Sequence, residues 1–445
     1  MKKLLVLLAG LAVISCANEP KIDYTLVSGK IENKKGDEVV IYANGTMKKI
    51  ALNEDGSFAD TLRIAGYYKF AHDRNATNIF LAPAKELKIT TDSNHFMDSL
   101  RYDGEGAAVN NYLMTKTLRN KKHDATAIFS KEEVAFVEKM KEIRDDAKKH
   151  LKEFKGLDEA FVTLEQKNLQ FSHLLNLSRY PNFYVNYFKH PDYVPSEEFN
   201  ARFKDVDYDN EEDYKKYQSY RDLVQGHYNE KVDPEKDVKA AIETVKSIKS
   251  ESIKQELIEG LAYYVSPSFK ESDYLYNELS ALITDEEMKE ELTEKYNTMQ
   301  NLVAGKDSPT FDYENHKGGN TTLADLQGKY VYIDVWATWC GPCLQEIPSL
   351  KKVEKQYHDK NIHFVSISID ETRDHGKWKK MVDEKELGGI QLMADNAWKS
   401  KFVTDYAIEG IPRFILIGPD GKIVNADAPR PSDEKLIELF DELKI

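Results

Sequence analysis

Short strand-like runs separated by turn residues fill the chain from residue 17 to about residue 100. Turn pairs such as Asn44-Gly45 and Asp55-Gly56 lie between these runs. Because short strands at this spacing are typical of all-β folds, we predict a small sandwich or barrel. The predicted strands cover residues 24–31, 38–42, 47–52, 57–64, 66–72, 78–82 and 86–91.

The pattern changes to helical spacing between about residues 106 and 303. Asp233-Pro234 forms a favourable N-cap and first-turn pair for one of the helices. An aromatic stretch at 180–188 interrupts the pattern, and it fits either a packed corner between helices or a surface for a partner. The predicted helices cover residues 130–154, 158–177, 233–248, 251–264 and 271–282.

Strands and helices alternate from Thr310 to the C-terminus, after a linker-like stretch at 305–309. This order is typical of an α/β domain, and Pro348 is expected to distort its first helix. We therefore expect a multidomain chain with a small all-β domain, a helical middle region and a C-terminal α/β domain. In the last domain, the predicted strands cover 329–335, 362–369, 390–393, 414–417 and 423–425, and the predicted helices cover 343–359, 374–386, 397–406 and 433–443.

A basic and apolar segment precedes these regions. Lys2 and Lys3 are followed by an apolar run at 4–14, which has the layout of a signal peptide and is too short to span a bilayer comfortably. The string Val-Ile-Ser-Cys at 13–16 resembles the lipobox of bacterial lipoproteins. This resemblance implies cleavage before Cys16, lipid on its sulfur and amine, and an anchored mature protein. An ordinary secretory signal with a chance cysteine is the alternative.

The residues beside Cys16 indicate where such an anchor would lie. Ala17 follows the cysteine, where an Asp tends to retain Gram-negative lipoproteins at the inner membrane, so the outer membrane is favoured. No strong acidic cluster lies beside Cys16, which favours a periplasm-facing protein over surface display. We therefore expect a location in the cell envelope, with the lipid on Cys16 as the membrane contact.

Length and charge limit the interpretation further. The chain of 445 residues is long enough for roughly three domains. Its formal charge of −14 becomes −16 once Lys2 and Lys3 are removed, which disfavours nucleic acid and anionic membrane surfaces as partners. The predicted division is a signal peptide at 1–15, a small β-sandwich-like domain at 16–104, a helical domain at 105–304 and the α/β domain at 305–445.

The candidate chemistry lies in the three cysteines of the chain, Cys16, Cys340 and Cys343. Gly-Pro separates the last two and favours a tight turn into a helix, and a predicted buried strand at 330–335 lies just upstream. In this geometry the two thiols can close into a disulfide with each other. A thiolate at a helix N-terminus also has a lowered pKa, because the partial positive charge there stabilises it. This combination predicts a redox centre.

Residue spacing excludes several other uses of these cysteines. With Cys16 lipidated one pair remains, which excludes a disulfide framework and a four-thiolate zinc site. Leu344 stands where a haem attachment motif requires histidine, and none of the eleven histidines forms a metal-spaced pair. Ile333 and Ala337 stand where a peroxiredoxin requires Pro and Thr or Ser. A catalytic thiol pair without metal or cofactor remains.

Residues 305–445 resemble the TlpA/ResA-like class of periplasmic thiol-disulfide oxidoreductases, which have a thioredoxin fold. The string Trp-Cys-Gly-Pro-Cys at 339–343 is the active-site string of thioredoxin, and the segment between Asp370 and Ile390 fits an extra helix and strand of this class. Arg413 departs from the small residue common at its position, which concerns substrate preference rather than fold. The other matching positions are Asp334, Glu346, Pro348 and the loop Gly410-Ile411-Pro412.

The resemblance implies a role for each residue near the thiols. It implies that Cys340 is an exposed nucleophile that forms a mixed disulfide, and that the more buried Cys343 then attacks Cys340. Asp334 and Glu346 are the candidate proton acceptors for Cys343. Asp334 also fits a buried polar residue without chemistry, and Glu346 a first-turn acid that interacts with the helix dipole.

The resemblance also implies a substrate-binding surface. Pro412 is expected to follow a cis peptide bond, with Ile411 presenting backbone groups to an extended substrate segment. The other residues expected at this surface are Trp339, Gly341 and Pro342.

We therefore predict a lipid-anchored thiol-disulfide oxidoreductase that reduces the disulfides of envelope proteins. The Gly-Pro spacer, which is that of thioredoxin, favours the reducing direction. By family analogy, a membrane electron donor supplies the electrons, and apocytochrome c is one candidate client. The alternative is a partner-binding or redox-sensing lipoprotein in which the thioredoxin-like domain is a switch or a scaffold.

Overall fold

The computed structural model describes residues 22–43, 45–267 and 269–445. The predicted signal segment and Cys16 lie outside these residues. The chain divides into two units, Met1–Glu230 and Lys231–Ile445. This division falls within the helical region, whereas the boundaries predicted after residues 104 and 304 mark changes of secondary-structure type. None of the helices in the described ranges combines the length and the apolar content that crossing a lipid bilayer requires.

The first unit begins with two four-stranded sheets. Their strands are β1 (Thr25–Glu32), β2 (Glu38–Ala43), β3 (Thr46–Ala51), β4 (Ser57–Leu62), β5 (Gly66–His72), β6 (Asn75–Leu81), β7 (Glu86–Asp92) and β8 (Arg101–Asp103). The sheet orders are β4-β1-β7-β8 and β3-β2-β5-β6. Alternate residues of both sheets, such as Val27 and Ile41, are fully buried in one shared core, which makes the pair of sheets a sandwich. The seven predicted strands are confirmed, and the short polar β8 escapes a pattern-based prediction.

Helices follow the sandwich in the first unit. They are α1 (Phe96–Ser99), α2 (Ala107–Asn120), α3 (Ala125–Phe129), α4 (Glu133–Glu153), α5 (Glu159–Asn182), α6 (Glu197–Asn200), α7 (Glu211–Lys216) and α8 (Gln218–Asn229). The aromatic stretch is the end of α5 and a π-helical turn at Phe183–Tyr187. Tyr180 and Tyr184 are buried there, whereas Phe183 and Tyr187 are exposed. The stretch is therefore a packed corner with an exposed edge.

A buried carboxylate connects the sandwich to these helices. Glu165 on α5 is fully buried and accepts a hydrogen bond from Tyr67 Oη on β5 at 2.5 Å. Lys116 Nζ and Tyr112 Oη on α2 donate to it at 2.6 and 3.2 Å. Asn168 Nδ2 on α5 donates to it at 2.9 Å. A buried charge with this many donors fixes the packing of three elements, because each donor has one favourable position.

The second unit begins with four helices, α9 (Pro234–Ser247), α10 (Glu251–Ala262), α11 (Ser272–Leu282) and α12 (Glu286–Gln300). Asp233 caps α9, since its carboxylate accepts from Glu235 N at 3.1 Å, and Pro234 fits the first turn because it lacks an N–H. The apolar faces of these helices share a core that includes Ala241, Ile242, Val245, Leu275 and Leu279.

A seven-stranded sheet with the order β10-β9-β13-β12-β11-β14-β15 forms the rest of the second unit. Its strands are β9 (Asp312–Asn315), β10 (Asn320–Thr322), β11 (Tyr330–Trp336), β12 (Ile362–Ser368), β13 (Ile390–Met393), β14 (Arg413–Ile417) and β15 (Ile423–Asn425). The helices are α13 (Gly341–Gln356), which contains Pro348, α14 (His375–Glu384), α15 (Lys401–Asp405) and α16 (Lys435–Glu442). Strands β11, β12 and β13 are parallel, which confirms the predicted α/β domain.

Strand β11 lies inside this sheet and presents different residues to its two faces. Tyr332 packs in a core with residues of α13 and α16, and Ile333 packs in a second core with residues of α14 and α15. Because side chains alternate along a strand, Asp334 shares the face of Tyr332, toward α13. The end of β11 leads directly into the loop that carries the thiols.

Candidate active site

Cys340 and Cys343 are joined by a disulfide at the start of α13, with their Cα atoms 5.3 Å apart. Cys340 is the N-cap of this helix, and its Sγ accepts a hydrogen bond from Cys343 N at 3.1 Å. Pro342 fits the first turn because the N–H it lacks would have no partner within the helix. Once the disulfide is reduced, a thiolate on Cys340 is stabilised by this N–H group and by the positive end of the helix.

The structure shows that the expected exposure of Cys340 is wrong. Cys340 is 4% exposed, the same fraction as Cys343. Its side chain packs in the apolar core of the domain, and the carbonyl oxygen of Ile411 lies 3.8 Å from its Sγ. The neighbouring Gly341 and Pro342 are exposed. In the oxidised form, the surface that a partner can contact here is thus the turn at Gly341 and Pro342, whereas both sulfur atoms are buried.

The loop before β14 borders Cys340. The peptide bond between Ile411 and Pro412 is cis, the isomer that the family resemblance implies. Because Ile411 O lies 3.8 Å from Cys340 Sγ, the backbone of this loop is next to the disulfide. The structure therefore brings Ile411 and Pro412 together with the thiol pair, as a substrate-binding role requires.

Arg413, which departs from the family pattern, directs its charge away from solvent. Its Nε donates to Ala426 O at 3.1 Å, and its guanidinium lies 3.4 Å from the carboxylate of Asp427. Only 17% of its side chain is exposed. The positive charge beside the cis-proline loop is thus paired within the domain.

Two exposed tryptophans lie near each other at the thiol loop. Trp339 is 52% exposed and Trp398 is 38% exposed, and their ring centroids are 6.3 Å apart. Sequence reasoning identifies Trp339 but not Trp398, because the two positions are far apart in the chain. Large exposed aromatic groups of this kind are typical of contact surfaces for other proteins.

Asp334 on β11 is buried behind the thiol pair, with 9% of the residue exposed. It lines a small cavity of about 10 Å³ together with Cys343 and Trp336. Burial raises the pKa of Asp334 to about 8, and the charges of Glu354 and Glu346 act in the same direction. Asp334 is thus beside Cys343 and in the pKa range of a group that exchanges protons near neutral pH.

Glu346 occupies a different position from Asp334. Its Oε1 accepts from Ser432 Oγ at 2.9 Å, and its Oε2 accepts from Ser432 N at 3.1 Å. It is not among the described residues that line the cavity behind Cys343. Its charge nevertheless raises the pKa of Asp334. Of the two predicted carboxyl groups, the structure brings Asp334 to Cys343 and leaves Glu346 bonded to Ser432.

Asp370, which sequence reasoning misses as a site residue, holds the loop that carries the thiols. It is 1% exposed and accepts from Thr338 N at 2.9 Å, from Thr338 Oγ1 at 2.7 Å and from Ser368 Oγ at 2.7 Å. Thr338 stands two residues before Cys340, so these bonds fix the approach to the thiol pair. The available signal is an acidic residue directly after a buried strand, at the edge where parallel strands present functional groups.

Glu354 is the second residue that sequence reasoning misses. It lies on α13, eleven residues after Cys343, and it lines the same cavity as Asp334. Positions 343, 347, 350 and 354 follow the spacing of one helix face, and Glu354 is the acidic member of this row. Burial raises the pKa of Glu354 to about 7, and the charge of Lys351 opposes this shift. The cavity thus contains two carboxyl groups that change ionisation near neutral pH.

Comparisons with known proteins find similarity in this part of the chain. The Redoxin family profile matches residues 303–438. Thiol-disulfide oxidoreductase ResA of Bacillus cereus is 29% identical over 137 residues, which are 31% of this chain and 76% of that protein. Thioredoxin-like protein YneN of Bacillus subtilis is 43% identical over 140 residues, which are 32% of this chain and 80% of that protein. The crystal structure of the thioredoxin domain of a thiol-disulfide oxidoreductase from Bacteroides vulgatus is 30% identical, covers 32% of this chain and 98% of its own, and has a TM-score of 0.29.

The matched segment contains the seven-stranded sheet, the disulfide at the start of α13 and the cis-proline loop. Its sequence relatives include thiol-disulfide oxidoreductases and a thioredoxin-like protein, and each is matched over three quarters of its length or more. The chain belongs to the TlpA/ResA-like thiol-disulfide oxidoreductases, and its C-terminal α/β domain is thioredoxin-like.

Proposed function

We propose that this oxidoreductase reduces the disulfides of envelope proteins through dithiol–disulfide exchange at Cys340 and Cys343. The observation that carries the proposal is the disulfide at the start of α13, beside the cis-proline loop and the cavity of Asp334. The Gly-Pro spacer supports the reducing direction. The exposed Trp339, together with Gly341, Pro342, Ile411 and Pro412, would bind the partner segment.

The exchange consists of two sulfur transfers. The Cys340 thiolate attacks one sulfur of the partner disulfide; a mixed disulfide forms, and the other partner sulfur leaves as a thiolate that takes a proton from solvent. Cys343 then loses its proton and attacks Cys340, which closes the internal disulfide and releases the second partner thiolate. Two electrons pass from the cysteine pair to the partner, and a membrane electron donor restores the dithiol.

The second transfer needs a proton acceptor for the thiol of Cys343. Asp334 fits this role because it borders the same cavity and has a pKa of about 8, close to that of a thiol. Glu346 would act through its charge on Asp334, since its own oxygens are bonded to Ser432.

Reduction of insulin disulfides by dithiothreitol tests the activity. We expect the wild-type protein to accelerate insulin precipitation and Cys340→Ser to lose this acceleration. A wild-type rate equal to the uncatalysed rate would refute the proposal. Cys343→Ser should accumulate mixed disulfides with envelope proteins; capture that is unchanged in both cysteine variants would instead support a scaffold role.

The location of the protein is a separate part of the proposal. Lipidation at Cys16 would anchor it in the envelope, facing the periplasm and more favourably at the outer than at the inner membrane. Apocytochrome c is one candidate client there. Labelling with a fatty acid should mark the wild-type protein and not Cys16→Ala, and label retained by Cys16→Ala would refute the anchor.

A further inference from the structure

Two carboxyl groups face one cavity behind Cys343, and the proposed reaction uses only one of them. Asp334 and Glu354 both line this small space. Asp334 is buried on β11, whereas Glu354 on α13 is partly exposed. Glu354 is therefore the carboxyl group on the outer side of the cavity, on the helix that packs against the strand of Asp334.

The backbone of Gly388 and Gly389 passes close to the carboxylate of Glu354. A Cβ atom on Gly388 would collide with Glu354 Oε2, and a Cβ atom on Gly389 would lie 3.0 Å from Glu354 Oε1 and 2.7 Å from Phe364 O. Gln391 Nε2 donates to Gly388 O at 2.7 Å, which fixes this loop. Gln391 Oε1 lines the same cavity and is buried without a hydrogen-bond partner among the described residues. The lining thus combines the two carboxyl groups and the Gln391 amide with the apolar side chains of Ile347, Leu350 and Leu387.

Other charged and titratable groups of the described residues act on this pair. Glu346 acts on Asp334 from α13, and Lys351 acts on Glu354 from within the same helix. Tyr332 lies beside Asp334 on β11, and burial raises its pKa well above its ordinary value. Among the described residues, Lys351 is the cation that lines this cavity, and the charge of Glu354 is, after burial, the largest influence on the pKa of Asp334. Glu354 is therefore the principal neighbouring group through which the ionisation of Asp334 can be set.

We propose that Glu354 is a positioning residue for the Cys343 step. Its carboxylate sets the pH range in which Asp334 accepts the proton of Cys343. This inference rests on the proposed function of Asp334 and adds a second carboxyl group to it. Glu354 ionises first, since it lies on the outer side of the cavity beside Lys351. Its negative charge then opposes ionisation of Asp334 across the low-dielectric cavity.

The test is a single-turnover reaction of the reduced full-length protein with 5,5′-dithiobis(2-nitrobenzoate). The first thionitrobenzoate is released when Cys340 attacks, and the second is released when Cys343 resolves the mixed disulfide. The rate of the second release is measured against pH. We expect Glu354→Gln to move the midpoint of this profile to lower pH by about half a unit or more, because a like charge is removed. Glu354→Asp, which keeps the charge, should restore most of the wild-type profile.

Three further variants make the outcome decisive. Glu354→Leu also removes the charge and is expected to shift the profile in the same direction. It replaces Glu354→Gln if that variant folds poorly. Lys352→Gln, at an exposed position of the same helix, should leave the profile unchanged. Asp334→Asn should slow the second release near neutral pH, because Cys343 must then lose its proton directly to solvent. A wild-type profile in both charge-removing variants, with the second release still slowed in Asp334→Asn, would overturn the role of Glu354 alone. An absent second release in the wild type would overturn the proposed function instead.

Discussion

Replacement of Asp334 by asparagine should stabilise the second unit at neutral pH and have little effect at pH 4. Burial raises the pKa of Asp334 from 3.8 to about 8, so within this window the folded chain keeps a proton that the unfolded chain has lost. The stability of the wild type therefore falls as the pH rises from about 4 toward 8. At pH 7, about three pH units above the pKa of Asp334 in the unfolded chain, the loss of folding stability amounts to about 4 kcal/mol. Asparagine does not ionise, and Asp334→Asn avoids this loss.

Urea unfolding of the oxidised protein, followed by tryptophan fluorescence, measures this difference. All four tryptophans, Trp336, Trp339, Trp378 and Trp398, lie in the second unit, so the signal reports on the unit that contains Asp334. Asp359→Asn is the matched control, because the side chain of Asp359 is 96% exposed. The free-energy gain of Asp334→Asn should grow from near zero at pH 4 to about 4 kcal/mol at pH 7. An equal gain at both pH values would refute the argument from burial.

Three other substitutions give measurable outcomes. Asp370→Ala leaves the Thr338 N–H without its acceptor and should destabilise the second unit by about 1–3 kcal/mol. It should also slow insulin reduction by about tenfold or more, because the thiol loop is misplaced; unchanged activity would contradict this. Glu165→Ala leaves the Lys116 ammonium without its carboxylate and should destabilise the first unit by about 3–5 kcal/mol in circular-dichroism melts, and a wild-type melting curve would be the contrary result. Trp339→Ala should raise KM for insulin and leave the rate with 5,5′-dithiobis(2-nitrobenzoate) unchanged; equal effects on both substrates would exclude a docking role.

The thiol site was largely predictable because its residues are close in sequence or match a family pattern. Strand, Cys-x-x-Cys and helix follow one another within 330–356, so local patterns determine their order in space. Asp334 could be identified because a carboxylate inside an apolar strand is costly without a purpose. The cis isomer at Pro412 came from the family resemblance, since sequence spacing alone does not determine it.

The rest depends on contacts between distant parts of the chain. The burial of Cys340 is set in part by Ile411, which lies 71 residues away and which no local pattern connects to it. Trp398 reaches Trp339 only through the topology of the sheet. Strand β9 has the polar sequence Asp312–Asn315, which lacks a strand-like run and forms by pairing with β10 and β13. Such elements are selected by tertiary contacts rather than by their own propensity.

The burial of Asp334 links the stability of the domain to its chemistry. Desolvation disfavours the ionised carboxylate, and this single effect both destabilises the folded chain at neutral pH and places the proton exchange of Asp334 near the pKa of a thiol. An apolar side chain at 334 would remove the first consequence, but it would leave Cys343 without its proposed proton acceptor. Asp334→Asn should therefore be more stable at pH 7 and slower in the Cys343 step at the same time. If Asp334→Asn gains this stability and keeps the wild-type rate, the stability effect of Asp334 is separate from the Cys343 step. The proton of Cys343 then goes to another acceptor.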